Sequence, residues 1–295
     1  MKSGFVAVVG RPNVGKSTLV NALVGSKVVI TSPRPQTTRN VVRGVVTVTE
    51  EPEFQAVLVD TPGLHKPRNA LGERLNRLVY GTLAEADAVV FLIDATAPVG
   101  PGDRLIAERL AKAGSPVIVV VNKTDAARKG QIPERLAEAA AWGFAAYVPV
   151  SALHGEGLES ILSELGKLLP EGPRYYPADA VTDQPESFLA GELIREKFLA
   201  RLRDELPHSL VVDVREIEQR PDGSVYVDAR IIVERTSQKG IVIGKGGLLL
   251  RDAGSEARTE LERLFGARVY LDLRVRVEKN WQRKPQMLDR FGFGK

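Results

Sequence analysis

The octapeptide G-R-P-N-V-G-K-S at residues 10–17 follows directly on the apolar run Phe5 to Val9. That order dictates a strand, a glycine-rich loop and a helix. Gly10 and Gly15 carry no β-carbon, so the loop can wrap a phosphate chain with its N–H groups while the helix N-terminus adds positive potential. Lys16 then reaches the β- and γ-phosphates, and the Ser17 hydroxyl is placed as a Mg²⁺ ligand. Arg11, Pro12, Asn13, Val14 and Thr18 complete the cradle. The pattern implies a nucleoside triphosphate site in an α/β domain.

The base is read further along. The strand-like run Pro116 to Val121 ends in Asn122-Lys123-Thr124-Asp125, an N-K-x-D pattern. A carboxylate at Asp125 can accept from both the N1–H and the exocyclic amine of guanine. Adenine offers no such pair and would leave the carboxylate half unpaired, a mismatch that discriminates strongly. Asn122 is expected to tie loops together, and the Lys123 stem to cover a base face. Ser151-Ala152-Leu153, after the strand-like Ala145 to Val150, supplies a second base-side element, with a backbone N–H near Ala152 as donor to guanine O6.

Between these lies Phe54 to Val59, ending in Asp60-Thr61-Pro62-Gly63. Asp60 suits Mg²⁺ through a water, and the Gly63 N–H can face the γ-phosphate. Gln36-Thr37-Thr38-Arg39 sits in a polar, Pro-broken stretch, read as a switch loop whose threonine closes on Mg²⁺ when the γ-phosphate is present. Thr38 is chosen as that ligand, with Thr37 next. The catalytic set is thus Lys16, Thr38, Asp60, Gly63 and Asn13. These motifs end successive predicted strands, with Val89 to Ile93 as a further one, and helical periodicity lies between them, as in Leu158, Ile161, Leu162, Leu165 and Leu168. Ligands in open α/β sheets bind at strand carboxyl ends, so the expected fold is an α/β domain with a mainly parallel sheet and helices on both faces.

A chain of 295 residues exceeds what one core usually organises. Leu169 to Pro177 contains three prolines and a glycine, and the domain boundary is placed there. No run of 18 apolar residues exists, so a transmembrane helix is not expected and the chain is taken as cytoplasmic. The absence of cysteine excludes disulfides, thiolate metal sites and a cysteine nucleophile. His65, His154 and His208 are scattered and give no metal cluster or triad. From Arg235 to Lys295 there are 14 Lys and Arg against 7 Asp and Glu, a net of +7, so residues 1–234 carry −3 of the chain's +4. Positive charge gathered at one end favours a polyanionic partner.

The second domain reads as an α+β unit: a helix near Glu186 to Glu205, strands near Ser209 to Ile217 and Ser224 to Glu234, a helix near Gly247 to Phe265 and a strand near Arg268 to Val277. The apolar run Ile241-Val242-Ile243 precedes Gly244-Lys245-Gly246-Gly247, a G-x-x-G loop opening a helix. Close approach to a phosphodiester chain needs glycine, and Lys245 brings a cation, as in the KH-domain clamp on single-stranded nucleotides. Ile243 to Gly247 and Arg251 are the expected RNA contacts. In Asn280 to Lys295, Trp281, Arg283, Lys284, Phe291 and Phe293 could stack on RNA or pack back on the unit. Arg39, Arg43, Lys66 and Arg68 are read as solvated switch-region charges, or as contacts to RNA or protein in one nucleotide state.

Q-T-T-R, D-T-P-G-L-H, N-K-x-D and S-A-L, the segment Gly191-Glu192-Leu193-Ile194-Arg195-Glu196-Lys197 and V-I-G-K-G-G together resemble the Era-type family of bacterial GTPases over nearly the whole chain. The resemblance implies a GTPase domain over 1–170, a linker over 171–182, a type II KH domain over 183–280 and a tail over 281–295. It implies a GTP/GDP switch that hydrolyses GTP, binds single-stranded rRNA near the 3′ end of the small-subunit RNA and assists 30S assembly. It also implies a monomer with peripheral association at the inner membrane face, for which no sequence feature speaks. A nucleotide-regulated RNA-binding or scaffolding protein with vestigial hydrolysis is the alternative. Tandem G-domain GTPases would need a second P-loop, and tRNA-modifying GTPases carry their G domain within helices and end in a cysteine motif. Two details bear on mechanism. Leu64 stands where many GTPases carry a water-orienting glutamine, so slow intrinsic turnover is expected. Asn13 stands where some related GTPases help hold a K⁺ beside the phosphates.

Overall fold

The computed structural model describes residues 1–32, 37–63, 70–202 and 206–291. The chain divides into two compact units, one made from Met1–Thr31 and Pro35–Asp183, the other from Ser32–Arg34 and Gln184–Lys295. Among the described residues no helix is long and apolar enough to cross a membrane.

The first unit runs β1 (Lys2–Gly10), α1 (Lys16–Val24), β2 (Val42–Val48), β3 (Phe54–Asp60), α2 (Ala70–Glu85), β4 (Ala88–Asp94), α3 (Pro101–Ala113), β5 (Val117–Asn122), α4 (Gln131–Ala140), β6 (Ala146–Val150) and α5 (Leu158–Leu168). The strand order is β2-β3-β1-β4-β5-β6. All neighbours are parallel except β2, which pairs antiparallel with β3. β1, β4 and β5 are near-continuous Val, Ile, Leu and Ala runs because both faces are covered. On one face Val79, Leu83, Ile106, Ala107, Leu110 and Ala139 pack over Ala7, Val9, Val89, Phe91 and Val119. Leu19, Val20 and Leu23 of α1 and Ile161 and Leu165 of α5 are buried on the other side.

The second unit holds α6 (Glu186–Leu199), α7 (Leu206–Ser209), β7 (Val211–Gln219), β8 (Val225–Val233), α8 (Thr236–Ile243), α9 (Leu248–Phe265), β9 (Val269–Val277) and α10 (Pro285–Arg290). Its sheet order is β7-β8-β9, β7 antiparallel and β9 parallel to β8. Alternation is clean here. Val225, Val227, Ala229 and Ile231 are buried, while Tyr226, Asp228 and Arg230 lie on the more open face.

The apolar run before the G-x-x-G loop, to which no element was assigned from the sequence, is the last turn of helix α8, with Val242 buried and Ile241 55% exposed. The Gln238 side chain accepts from the backbone N–H groups of Glu234 and Arg235 and so caps that short helix. The first helix of the unit stops at Leu199 rather than running to Glu205.

The stretch expected as a linker is strapped to the first unit. Ser3 N–H donates to Pro170, Val45 N–H to Val181 and the Thr182 hydroxyl to Arg43, all at backbone carbonyls. Its polar backbone finds partners along the exposed edge of β2 and beside β3, where an unpaired chain would find only water. Trp281 is fully buried, donates its indole N–H to the Ser209 carbonyl at 3.0 Å and meets the Phe291 ring edge-on at 5.4 Å. It belongs to the core and is unavailable for stacking on RNA; Phe293 lies outside the described residues.

Candidate functional site

β1 is flanked by β3 and β4, so the loop after Gly10 opens at the middle of the sheet's carboxyl edge. Gly15 has φ 99, and a β-carbon built on it would lie 2.2 Å from Asn122 Nδ2. Only glycine lets the base-side asparagine approach the loop so closely. Asn122 Nδ2 donates to the Val14 carbonyl at 2.8 Å. Asn13 also adopts the left-handed conformation, φ 64, which asparagine tolerates better than most residues. Arg11 faces Asp103 at 3.2 Å, beside Gly100 and Gly102 at the start of α3.

Lys16 is buried and donates to the Arg11 carbonyl at 3.1 Å. Burial lowers its pKa, against the pull of Asp60. Asp60 is fully buried, and desolvation raises its pKa against Lys16 and hydrogen bonds from Ser17, Thr38 and Thr61. Ser17 Oγ stands 2.9 Å from Thr38 Oγ1 and donates to Asp60 Oδ2 at 2.8 Å; Thr38 Oγ1 reaches the same oxygen at 3.2 Å. Asp60 Oδ1 is buried without a hydrogen-bond partner. Three oxygen side chains drawn from three separate elements, with a further orphaned carboxylate oxygen, form a donor set that suits a hard cation such as Mg²⁺. Thr61 is buried and donates to the Val8 carbonyl at 2.8 Å. Pro62 is buried too, and Gly63 lies against Pro12, where a β-carbon would stand 2.9 Å from its nitrogen. Leu64, Lys66, Arg68 and the glutamine of Q-T-T-R fall outside the described residues.

On the base side, Ser151 Oγ donates to Asp125 Oδ1 at 2.6 Å and thereby orients the carboxylate. Asn122 Oδ1 accepts from Ala152 N–H at 3.0 Å. That N–H is therefore engaged within the protein. Leu153, its neighbour, is 70% exposed. Lys123 holds φ 69 and its ammonium meets Asp94 at 2.6 Å. Sequence reasoning passed over Asp94, although it ends a strand just as Asp60 and Asn122 do. Arg39 is buried rather than solvated, and Arg43 pairs with Asp183 at 2.9 Å.

The second unit offers a different surface. Lys245–Gly247 forms a short 3-10 turn between α8 and α9. Gly244 has φ 76, and a β-carbon there would press within 2.8 Å of Leu249 Cβ. Gly246 and Gly247 are also left-handed and Lys245 is exposed. Between α9 and β9 lies a groove of about 280 Å³ lined by Leu250, Arg251, Gly254, Ser255 and Arg258 of α9 and Leu271 and Leu273 of β9. Three leucines and two arginines line it, a combination that suits unstacked bases and their phosphates. Arg251 was foreseen. Ser255, Arg258, Leu271 and Leu273 were not, although 251, 254, 255 and 258 share a helix face and 271 and 273 one side of a strand.

The family described as 50S ribosome-binding GTPase matches residues 5–123, and the KH domain family matches residues 205–282. The GTPase Era of Mycobacterium tuberculosis is 51% identical over 99% of this chain and 98% of its own. That of a Nocardioides species is 52% identical over 99% and 96%. Two solved structures each cover 100% of both chains at 39% identity. One is an Aquifex aeolicus Era variant bound to GDP·AlF₄⁻, with a TM-score of 0.93. The other is Era in complex with MgGDPNP and nucleotides 1506–1542 of 16S ribosomal RNA, with a TM-score of 0.94.

Proposed function

The chain belongs to the Era family of GTPases, and from that membership we propose that it is a GTP-driven switch that binds the 3′ region of small-subunit rRNA and assists 30S assembly. The P-loop from Gly10 to Thr18 holds the phosphates, with Lys16 as the cation. Ser17 and Thr38 hold Mg²⁺ directly and Asp60 does so through water; the ion, when bound, neutralises charge developing on the phosphates. Removing Lys16 and Asp60 from water leaves each poorly solvated alone, so triphosphate and cation supply the counter-charges that burial withholds. Asp125, held by Ser151, reads the guanine edge, the Lys123 stem covers its face, and the Leu153 N–H faces O6. Thr61, Pro62 and Gly63 carry the γ-phosphate contact.

RNA binds through Ile243 to Gly247 and along the groove lined by Leu250, Leu271 and Leu273. Arg251 and Arg258 take phosphates. The observation that carries this reading is the groove of leucines and arginines between α9 and β9, in the unit that holds the G-K-G-G turn and in one chain with the Ser17, Thr38 and Asp60 cluster. It is tested by titrating the purified chain with a single-stranded oligonucleotide matching the small-subunit rRNA 3′ end, with a non-hydrolysable GTP analogue and with GDP at equal salt. Selective binding, tighter with the analogue and lost in Lys245→Ala, is expected; absence of selective binding in both states refutes the RNA assignment.

Hydrolysis is slow in the free protein, because the residue after Gly63 is a leucine that cannot orient water. A K⁺ beside Asn13 supplies the charge that an arginine provides in other GTPases. Equal turnover in KCl and NaCl at matched ionic strength would remove that ion from the mechanism.

A further inference from the structure

We propose that Asp94 is a positioning residue for guanine-nucleotide binding, anchoring the Lys123 ammonium so that the lysine stem lies fixed across the base. The inference rests on the reading of Lys123 as the cover of the base face.

Asp94 closes β4 in direct register with Asn122 at the end of β5. It therefore stands one strand away from the N-K-x-D loop at the same height. One of its oxygens accepts from the Thr96 N–H at 2.9 Å and the Thr96 hydroxyl at 2.6 Å. The other accepts from Lys123 Nζ at 2.6 Å. The Ala95 N–H donates to the Asn122 carbonyl at 2.8 Å, tying the two strand ends together just past the aspartate. The carboxylate is thus built in before it meets the lysine.

Lys123 is held at both ends. Its backbone occupies the left-handed region, φ 69, which a residue with a β-carbon adopts only where its surroundings compensate. Its head is fixed by a carboxylate whose side chain is only 14% exposed. A free lysine stem has four rotatable bonds and would lose that freedom when a base docks; the anchored stem has lost it already. Asp94 therefore favours nucleotide binding without touching it. The ammonium pairs with Asp94 whereas Asp125 is held by Ser151, so the contribution is independent of what Asp125 reads.

The test measures GDP affinity and dissociation rate for the full chain and for Asp94→Asn, Lys123→Ala and the double variant. Asparagine at 94 still accepts from Thr96 but cannot pair with the ammonium. Asp94→Asn is expected to weaken GDP about tenfold, chiefly through faster dissociation, and to have no further effect once Lys123 is alanine. Unchanged GDP dissociation in Asp94→Asn, or the same tenfold loss in the Lys123→Ala background, overturns the proposal. Lys123→Met keeps a stem but no anchor, and its loss should equal that of Asp94→Asn. This arm decides the matter if Asp94→Asn does not fold, and GDP affinity unchanged by Lys123→Met overturns the proposal. In an Asp125→Asn background, whose amide suits the 2-oxo edge of xanthine, XDP should lose the same factor on Asp94→Asn. A loss confined to guanine would mean that Asp94 acts through Asp125. Preference of the unaltered chain for GDP over ADP separately tests the base-side reading on which the inference rests.

Discussion

Replacing Gln55 with leucine should detach the 171–183 strap and destabilise the first unit. Gln55 lies fully buried in β3. Its amide nitrogen donates to Thr47 Oγ1 at 3.0 Å and to the Tyr176 carbonyl at 2.9 Å, and its oxygen accepts from the N–H groups of Tyr175 and Tyr176 at 2.8 and 2.9 Å. Leucine conserves most of the volume, so the loss is polar rather than a cavity. The Thr47 hydroxyl can turn to another partner, but three backbone groups of the strap cannot follow it. At about 1 kcal/mol each the expected cost is ~3 kcal/mol. For a unit of this size that is a drop in Tm of about 6–12 °C. The chain has two tryptophans, Trp142 in the first unit beside Phe91 and Phe144 and Trp281 in the second. In a Trp281→Phe background the remaining fluorescence therefore follows the first unit alone. The scan is run at one fixed GDP concentration, because bound ligand itself raises Tm. Protease cleavage within 171–183 should rise in parallel. A Tm change under about 2 °C with unaltered cleavage would mean that the strap is held by its other contacts, such as the Phe5–Tyr175 ring pair at 5.1 Å, and that Gln55 is not its clasp.

Three further outcomes are expected. Gly63→Ala forces a methyl group against the Pro12 backbone and should lower single-turnover GTP hydrolysis about 100-fold, with GDP affinity by titration nearly unchanged. Arg258→Ala should leave GTP hydrolysis unaltered and reduce the slope of log affinity for single-stranded RNA against log salt by about 0.7, the share of one phosphate contact. The third concerns pH. Burial raises the Asp94 pKa, but the hydrogen bonds from Lys123 and Thr96 outweigh it and hold the group below the ordinary aspartate value. Its stabilising contribution is therefore complete above the unfolded pKa and is lost as pH falls through the folded one. The stability gap between the unaltered chain and Asp94→Asn, measured by denaturant unfolding, should be constant from pH 5 to 7 and close below about pH 4.

Much of the first unit was legible because a parallel sheet covered on both faces announces itself. Its strands read as continuous apolar runs, and chemistry-bearing residues stand at their ends, as Gly10, Asp60, Asn122 and Ser151 do. β2 escaped notice because an antiparallel edge strand carries no motif at its end. Helix α8 escaped notice because Ile241, Val242 and Ile243 are β-branched and the helix has only two turns. Trp281 could have faced RNA or core as far as its neighbours in the chain reveal, and only the Ser209 carbonyl, 72 residues away, decides between them.

The division follows from range. Phosphate cradle, base edge and G-x-x-G turn are local backbone devices, each needing particular residue types within a few positions, so the amino-acid sequence alone determined them. The partners of those devices lie far along the chain. Ser151 on Asp125, Asp94 on Lys123, Ala152 on Asn122 and Arg258 beside Leu273 are brought together by strand order and helix packing. Tertiary structure alone decided them, because a hydrogen bond between distant residues leaves no periodicity in either one.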